Sequence, residues 1–233
     1  VAGQHSGVEV LGYIMNSSGN NHKDGNGNIQ QGSAPEMLSA TGKFAFNGTG
    51  GHRLEVKADY VEDVGVRPAR PNFVTLNNAL GTRENMIEYY NQSISISYVD
   101  EEPTDWINPE IELSYNKNQL TAYSVTAGPV TSDFGSDISS LAGKAANTFT
   151  NRFGTITTGL DFYHDEATGT RQGRIGAASE AGTSSERASN VGAFAQFRVP
   201  VTDEWRMSFG GRVDNQWFHG TDGADHFNYG FSG

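Results

Sequence analysis

Arg53-Leu54-Glu55-Val56-Lys57-Ala58-Asp59-Tyr60 alternates between polar and apolar side chains without a break. Successive side chains of an extended strand point to opposite faces, so Leu54, Val56, Ala58 and Tyr60 share one face while Arg53, Glu55, Lys57 and Asp59 share the other. One face is apolar throughout and the other carries a full charge at every position. Such a strand sits between an apolar medium and a wet one, and the rest of the chain has to be consistent with that.

The same period of two recurs along the sequence. Trp205, Met207, Phe209, Val213 and Trp217 lie opposite Arg206, Ser208, Arg212, Asp214 and Gln216. Leu38, Ala40, Phe44 and Phe46 face away from Ser39, Thr41 and Lys43; Ile94, Ile96 and Tyr98 from Ser93, Ser95 and Ser97; Ile111, Leu113 and Tyr115 from Glu112 and Ser114. Further on, Ile156, Thr158, Leu160 and Phe162 oppose Thr157 and Asp161, and Val191, Ala193, Ala195 and Phe197 oppose Gln196 and Arg198. Two further segments are weaker: residues 7–15 are apolar on both faces, and 138–153 carry Gly and Ala where larger lipid-facing groups are expected. Together these predict about nine strands and no helix of convincing period.

The links between strands are predicted to alternate in size. Short ones fall at Asn47 to Gly51, Glu101 to Asn108, around Gly154 and at Pro200 to Glu204; long ones at 17–35, 64–84, 127–137 and 167–188, with another opening at 218. Short turns at one end and long Gly-, Asn-, Ser- and Asp-rich loops at the other characterise transmembrane β-barrels. An odd strand count does not suit a complete bacterial single-chain barrel. Val1 also lacks the charged start and apolar stretch of a secretory signal, and Ser232-Gly233 falls in a loop-like stretch, so the expectation is a piece of a longer protein.

Composition narrows the partners. With 27 acidic and 16 basic residues and a formal net charge of -11, the chain repels nucleic-acid phosphates. The absence of cysteine excludes disulfides, thiolate metal sites and cysteine nucleophiles. No run of about 18 apolar residues is present, so no helix spans a bilayer, whereas a barrel strand needs only one apolar face. A soluble antiparallel sandwich also alternates. The full charges on the polar faces, strands of about ten residues and aromatics near strand ends favour the barrel. A porin or a smaller barrel without a plug remains an alternative, as does a soluble β-sandwich binding module.

Three stretches carry a resemblance to a known family. His52 to Phe73 holds the strand His-Arg-Leu-Glu-Val, the acidic Glu62-Asp63 and Arg67-Pro68-Ala69-Arg70-Pro71-Asn72-Phe73; Leu141 to Tyr163 ends in Gly159-Leu160-Asp161-Phe162-Tyr163; and Asn190 to Phe197 is followed by Gly210-Gly211-Arg212-Val213-Asp214 and Asp222-Gly223. These resemble barrel hairpins of the TonB-dependent outer-membrane receptors for ferric siderophores and haem. The resemblance implies an all-β, antiparallel transmembrane barrel of 22 strands in the whole protein, of which residues 1–233 supply a mid-barrel portion of a single barrel domain. It further implies a plug with an energy-coupling box outside this chain, contact with the TonB complex through that plug, and an outer-membrane setting among lipid and lipopolysaccharide. A ferric siderophore or haem is the expected cargo; no resident cofactor, metal or enzymatic chemistry is expected.

Candidate ligand contacts follow from the predicted loops. Imidazole is a common axial ligand to haem iron, which singles out His22, His219 and His226, with His164 near a strand end; each is also what a solvated surface histidine looks like. The family's more recognisable haem-associated loop is expected beyond Gly233. Arg67 and Arg70 present guanidinium forks suited to an anionic chelate or a lipopolysaccharide phosphate, although a loop stiffened by Pro68 and Pro71, with its arginines paired to Glu62 and Asp63, explains them as well. Asp24-Gly25-Asn26-Gly27-Asn28 resembles a calcium loop, but Ile29 and Pro35 stand where the pattern requires Gly and Glu, leaving a mobile polar loop as the expectation. Arg53, Lys57, Arg206 and Arg212, beside Glu55, Asp59 and Asp214, are expected to form mixed-sign ladders on the lumen wall. No nucleophile elbow, zinc-binding helix or phosphate-cradling loop occurs in the sequence.

Overall fold

In a computed structural model the chain forms one antiparallel sheet of eleven strands, each hydrogen-bonded to the next in sequence. The strands are β1 (Ala2–His5), β2 (Val8–Ser18), β3 (Glu36–Asn47), β4 (His52–Pro68), β5 (Glu84–Asp100), β6 (Pro109–Ser124), β7 (Val130–Asn151), β8 (Gly154–Ile175), β9 (Ala178–Pro200), β10 (Arg206–His219) and β11 (Asp225–Ser232). The structure describes residues 1–29, 32–68, 84–124, 130–175, 178–220 and 225–232. Among them no helix is long and apolar enough to cross a membrane, which leaves crossing by strands open.

The register brings the alternating faces into phase. Leu54 pairs with Tyr98, and the row continues through Ile111, Ala145, Leu160 and Ala193 to Val213. One residue along, Glu55, Ser97, Glu112, Lys144, Asp161, Gly192 and Asp214 form the matching row on the other face. A slip of one residue anywhere would turn charges outward, so the apolar face specifies the register.

The sheet is a single layer. Among the described residues only Ala45, Gly65, Asn85, Ala122, Asn190 and Gly192 are buried, while Leu160, Phe209 and Val191 are 60%, 54% and 51% exposed. Covering each large apolar side chain is worth roughly 1.5–3 kcal/mol, so this face requires an apolar medium, and no second sheet supplies one. A sandwich would bury that face against a second layer, and the described residues form one sheet alone. The sheet is open, its edges being β1 and β11.

Two strands more are present than the sequence pattern predicts: short β1, and β11 in place of a loop-like end. The larger correction concerns the long links. Residues 130–137 belong to β7, and 167–175 and 178–188 belong to β8 and β9, leaving only 125–129 and 176–177 between strands there. β7 and β8 pair without interruption from Val130 with Ile175 to Asn151 with Gly154. At about 3.3 Å per residue such strands run some 70 Å, and about ten tilted residues suffice to cross a membrane, so the excess projects beyond the bilayer. There both faces meet water, side chains such as Thr168, Gly169, Thr170, Thr183 and Ser184 satisfy both, and hydrophobic alternation vanishes while the ladder continues.

Glycines fill two specific roles. At the tight β7–β8 turn Gly154 has φ +141°, in the region a side chain rarely adopts. In the ladder, aromatic rings roof small residues on both faces: on the apolar face, where 138–153 looked too slight, a Cβ on Gly143 would lie 2.5 Å from the Phe162 ring, and on the inner face one on Gly159 would lie 2.6 Å from the Phe194 ring. Each glycine is directly opposite its ring across the ladder, so the aromatic covers both positions.

Candidate functional site

The polar face of the sheet is the inner wall of a barrel segment, and its charges are organised into clamps that cross three strands. On β2–β4, Glu9, Ala45 and Glu55 form one row. Arg53 reaches from β4 over β3 and grips Glu9 with both terminal nitrogens at 3.0 Å, while also donating to Asn47 Oδ1 at 2.6 Å and meeting Glu55 at 3.1 Å. Lys43 Nζ closes the group at 2.7 Å from Glu55. A larger residue than Ala45, which is fully buried under this clamp, would stand in the guanidinium's way.

The arrangement repeats on β8–β10, where Asp161, Gly192 and Asp214 form the row. Arg212 crosses from β10 over β9, its Nη2 2.7 Å from Asp161 Oδ1 and its Nε 2.7 Å from Asp214 Oδ1. A Cβ on Gly192 would collide with Arg212 Nη2 and lie 2.7 Å from both its Cζ and Asp214 Oδ1. Glycine here makes room for the crossing arginine. Beside the clamp, Asn190 Nδ2 donates to Asp214 Oδ1 at 3.2 Å, and Gln216 Nε2 donates to the Tyr163 hydroxyl at 3.4 Å.

Between the clamps the wall is short-chained and mostly uncharged. Ser93, Asn116 and Ser140 form one inner row, and Ser95, Ser114 and Ala142 the next. Asn91 and Tyr89 donate to Asn118 Oδ1, at 2.5 and 3.1 Å. Lys57 and Asp59 border this belt as a pair at 2.8 Å, and Lys144 pairs with Glu110 at 2.7 Å at its turn-side end. Of the predicted ladder, Arg53, Glu55, Lys57, Asp59, Arg212 and Asp214 are all engaged. Glu9, Lys43, Asp161, Asn190 and Gly192 enter the same networks and become visible only with the register.

On the outer face, a polar collar follows the apolar band toward the long-strand end. Tyr60 donates to Glu62 at 2.7 Å, Lys117 lies 3.3 Å from Asp137, Arg187 lies 2.9 Å from Glu166, and His164 contacts Ser189 at 2.7 Å. Paired charges bounded by tyrosines are the expected chemistry of a membrane–water interface.

The predicted ligand residues that are described belong to separate elements, the β2–β3 loop, β4, β10 and β11. His22 is exposed in the β2–β3 loop, its N–H donating to Ser33 Oγ at 2.7 Å. Arg67 is on the inner face of β4 and binds Asp63 at 2.6 Å, the local pairing that its sequence allowed; Glu62 instead accepts from Tyr60. Arg67 thus belongs to a strand and not to the predicted loop. Arg70 lies outside the described residues. His219 is exposed on the outer face of β10, opposite Arg187, and His226 occupies the β11 register position opposite Phe218.

The Asp24 loop is a structured turn. Asp24 Oδ1 accepts the N–H groups of Asn26 and Asn28 at 2.9 and 2.8 Å, and Oδ2 accepts Asn28 Nδ2 at 3.0 Å. The Asn28 side chain above all, with these backbone amides, holds the Asp24 carboxyl below the usual carboxylate range. Its oxygens serve the turn itself.

No protein-family model matches the chain. Among curated proteins it is 28% identical over 224 residues to the heme transporter BhuA of Brucella ovis, a match covering 93% of this chain and 31% of that protein. The corresponding protein of Brucella abortus is 27% identical over the same length. Among solved structures, the sheet matches the copper transporter OprC with a TM-score of 0.68 at 14% identity, covering 97% of this chain and 36% of that one. The fold is that of the TonB-dependent receptor barrel. The ferric-catecholate import receptor Fiu of E. coli K12 in its closed form matches with a TM-score of 0.65 at 12% identity, over 97% of this chain and 43% of that one. The chain spans 31% of the length of the curated relatives it matches, and those relatives are transporters by name. The hairpin resemblance seen in the sequence is borne out at the level of the barrel.

Proposed function

We propose that this chain is part of the barrel wall of an outer-membrane TonB-dependent transporter that takes up an iron chelate, haem or a ferric siderophore. The observation that carries the reading is the two-sided sheet, with a continuous apolar face ending in a polar collar and an inner face whose charges are held in crossing clamps. That construction suits a wall between lipid and an aqueous lumen. In this reading the chelate binds at the extracellular end and crosses the lumen unaltered, driven from the inner membrane by TonB acting on a plug outside this chain. Lipid and lipopolysaccharide surround the collar. Haem is favoured over a siderophore by the names of the relatives matched across 93% of the chain. His22, Arg67, Arg70, His219 and His226 are the extracellular-end residues proposed for ligand contact.

The test is growth of an iron-starved Gram-negative strain lacking its own receptors and expressing the full-length gene, supplied with haem or a ferric siderophore as sole iron source. Growth on haem alone, with the protein in the outer-membrane fraction and a requirement for TonB, is expected. Growth on neither source, or recovery of the protein in buffer without detergent, would overturn the proposal; growth on the siderophore alone would overturn the haem preference.

A further inference from the structure

The collar on the outer face is uneven around the wall. One row of that face runs through Tyr60 and Gln92 on β4 and β5, Lys117 on β6, and Glu166, Arg187 and His219 on β8–β10. On β4 and β5 it holds no cation, and Glu62 and Glu88 stand just above it. Lys117 is engaged by Asp137. Arg187 is held in another way. Glu166 takes its Nε at 2.9 Å, the side chain is 56% exposed, and both terminal nitrogens are without a partner among the described residues. A guanidinium fixed through Nε presents its remaining N–H groups as a fork, the geometry that pairs with phosphate oxygens. His219, exposed directly opposite Arg187, adds an imidazole donor.

What lies beneath the fork states what else the ligand carries. Two residues along the strands, about 7 Å toward the turn-side end, the same face holds Leu141, Ser189 and Trp217. Phe162 and Val191 follow in the next row, then Leu160 and Val213, and these four are exposed apolar side chains of the band that requires an apolar medium.

We infer that Arg187 and His219 hold the phosphate of an outer-leaflet lipid headgroup, with its acyl chains lying along Trp217, Phe162 and Val191. This rests on the outer-membrane barrel reading, in which that face meets lipid. Free phosphate gains nothing from the apolar rows, whereas an anion carrying hydrocarbon uses the fork and the band together. Glu166 orients the guanidinium and leaves its terminal N–H groups to the ligand. Over β4 and β5 the acidic collar repels the same headgroup, so the site belongs to β8–β10. The His219 side chain is turned from the lumen, and this inference moves it from the cargo candidates to the lipid.

The experiment titrates the full-length protein, stripped of lipid in detergent, with diphosphoryl lipid A or with the same lipid dephosphorylated, and reads bound lipid by native mass spectrometry. The dephosphorylated lipid is expected to bind about tenfold more weakly, the loss of one charge-assisted pairing. Arg187→Gln is expected to bring the phosphorylated lipid to that same weak level, while Lys117→Gln binds as the unaltered protein does. Equal binding of the two lipids, unchanged binding by Arg187→Gln, or equal loss in Lys117→Gln would overturn the site. Displacement by inorganic phosphate at the lipid's own concentration would also overturn it, leaving a free-anion site. The gel shift of the folded barrel on heating is scored on every variant. Failure of the unaltered protein to insert sinks the barrel reading, whereas an inserted barrel without phosphate preference sinks the lipid site alone.

Discussion

Replacing Gly192 with alanine tests whether the crossing arginine contributes to the wall. Gly192 has no left-handed backbone, so alanine meets no conformational obstacle and should gain about 0.5 kcal/mol of strand entropy. Against this, the new Cβ occupies the space of Arg212 Nη2 and drives the guanidinium off Asp161. The side chains of Arg212 and Asp161 are 32% and 23% exposed, so the lost charged hydrogen bonds belong at the low end of their usual range, about 2 kcal/mol. The net expectation is a loss of about 1.5 kcal/mol. Arg212→Met removes the cation and leaves two part-exposed carboxylates facing each other, at about 2 kcal/mol. In that background Gly192→Ala has no clamp left to break and should be neutral or stabilising by about 0.5 kcal/mol, giving a coupling near 2 kcal/mol. Equilibrium guanidinium unfolding of the full-length protein from lipid vesicles measures all four corners of the cycle. A Gly192→Ala cost that is the same with and without Arg212 would place the effect in the backbone and refute the clamp.

Other substitutions separate the two faces. Leu113→Lys, on the apolar face, is expected to cost about 2–4 kcal/mol and block insertion, whereas Ser114→Lys, one residue along on the lumen face, should insert normally; the gel shift of the folded barrel on heating distinguishes them. Phe162→Ala should uncover Gly143 and lower stability by about 1 kcal/mol, and Gly143→Ala should restore part of that loss only when Phe162 is absent, as read from unfolding midpoints. Gly154→Ala strains a φ of +141° and sets a Cβ against the Arg198 carbonyl, so slower folding of the β7–β8 hairpin is expected in stopped-flow insertion; unchanged rates would contradict the geometry. The depressed Asp24 carboxyl means that the β2–β3 turn is held at neutral pH, loosens as the pH falls through the ordinary aspartate value of 3.8 and is lost once the folded-state value is passed; hydrogen exchange at the Asn26 and Asn28 amides reports it.

The barrel was legible wherever the two faces meet different media. Leu54 through Tyr60 alternate because lipid and lumen ask opposite things of neighbouring residues, and the same demand sets the register from β3 to β10. Above the bilayer the demand disappears, and β7, β8 and β9 run on through Thr, Ser and Gly that read as loop although every pair is hydrogen-bonded. Of the inner wall, single charges such as Arg53 and Arg212 were visible, but their partners were not. Glu9 and Asp161 lie two strands away, and their link depends on Ala45 and Gly192 being small at the point of crossing, which only pairing reveals. The candidate ligand histidines were chosen by loop membership; His22 lies in the β2–β3 loop, whereas His219 belongs to β10 and His226 to β11.

Because each strand pairs only with its chain neighbours, the hairpin is the natural unit of inheritance in this wall. Removing or duplicating two adjacent strands leaves every other ladder intact and changes only the circumference, much as adding a repeat lengthens a solenoid. The clamps set a limit on such editing: Arg53 and Arg212 each tie three strands together, so a recombination boundary inside β2–β4 or β8–β10 would strand an arginine from its distant carboxylate. Boundaries between β5 and β7 cut no such tie, and the diversification of a barrel wall of this build is freest there.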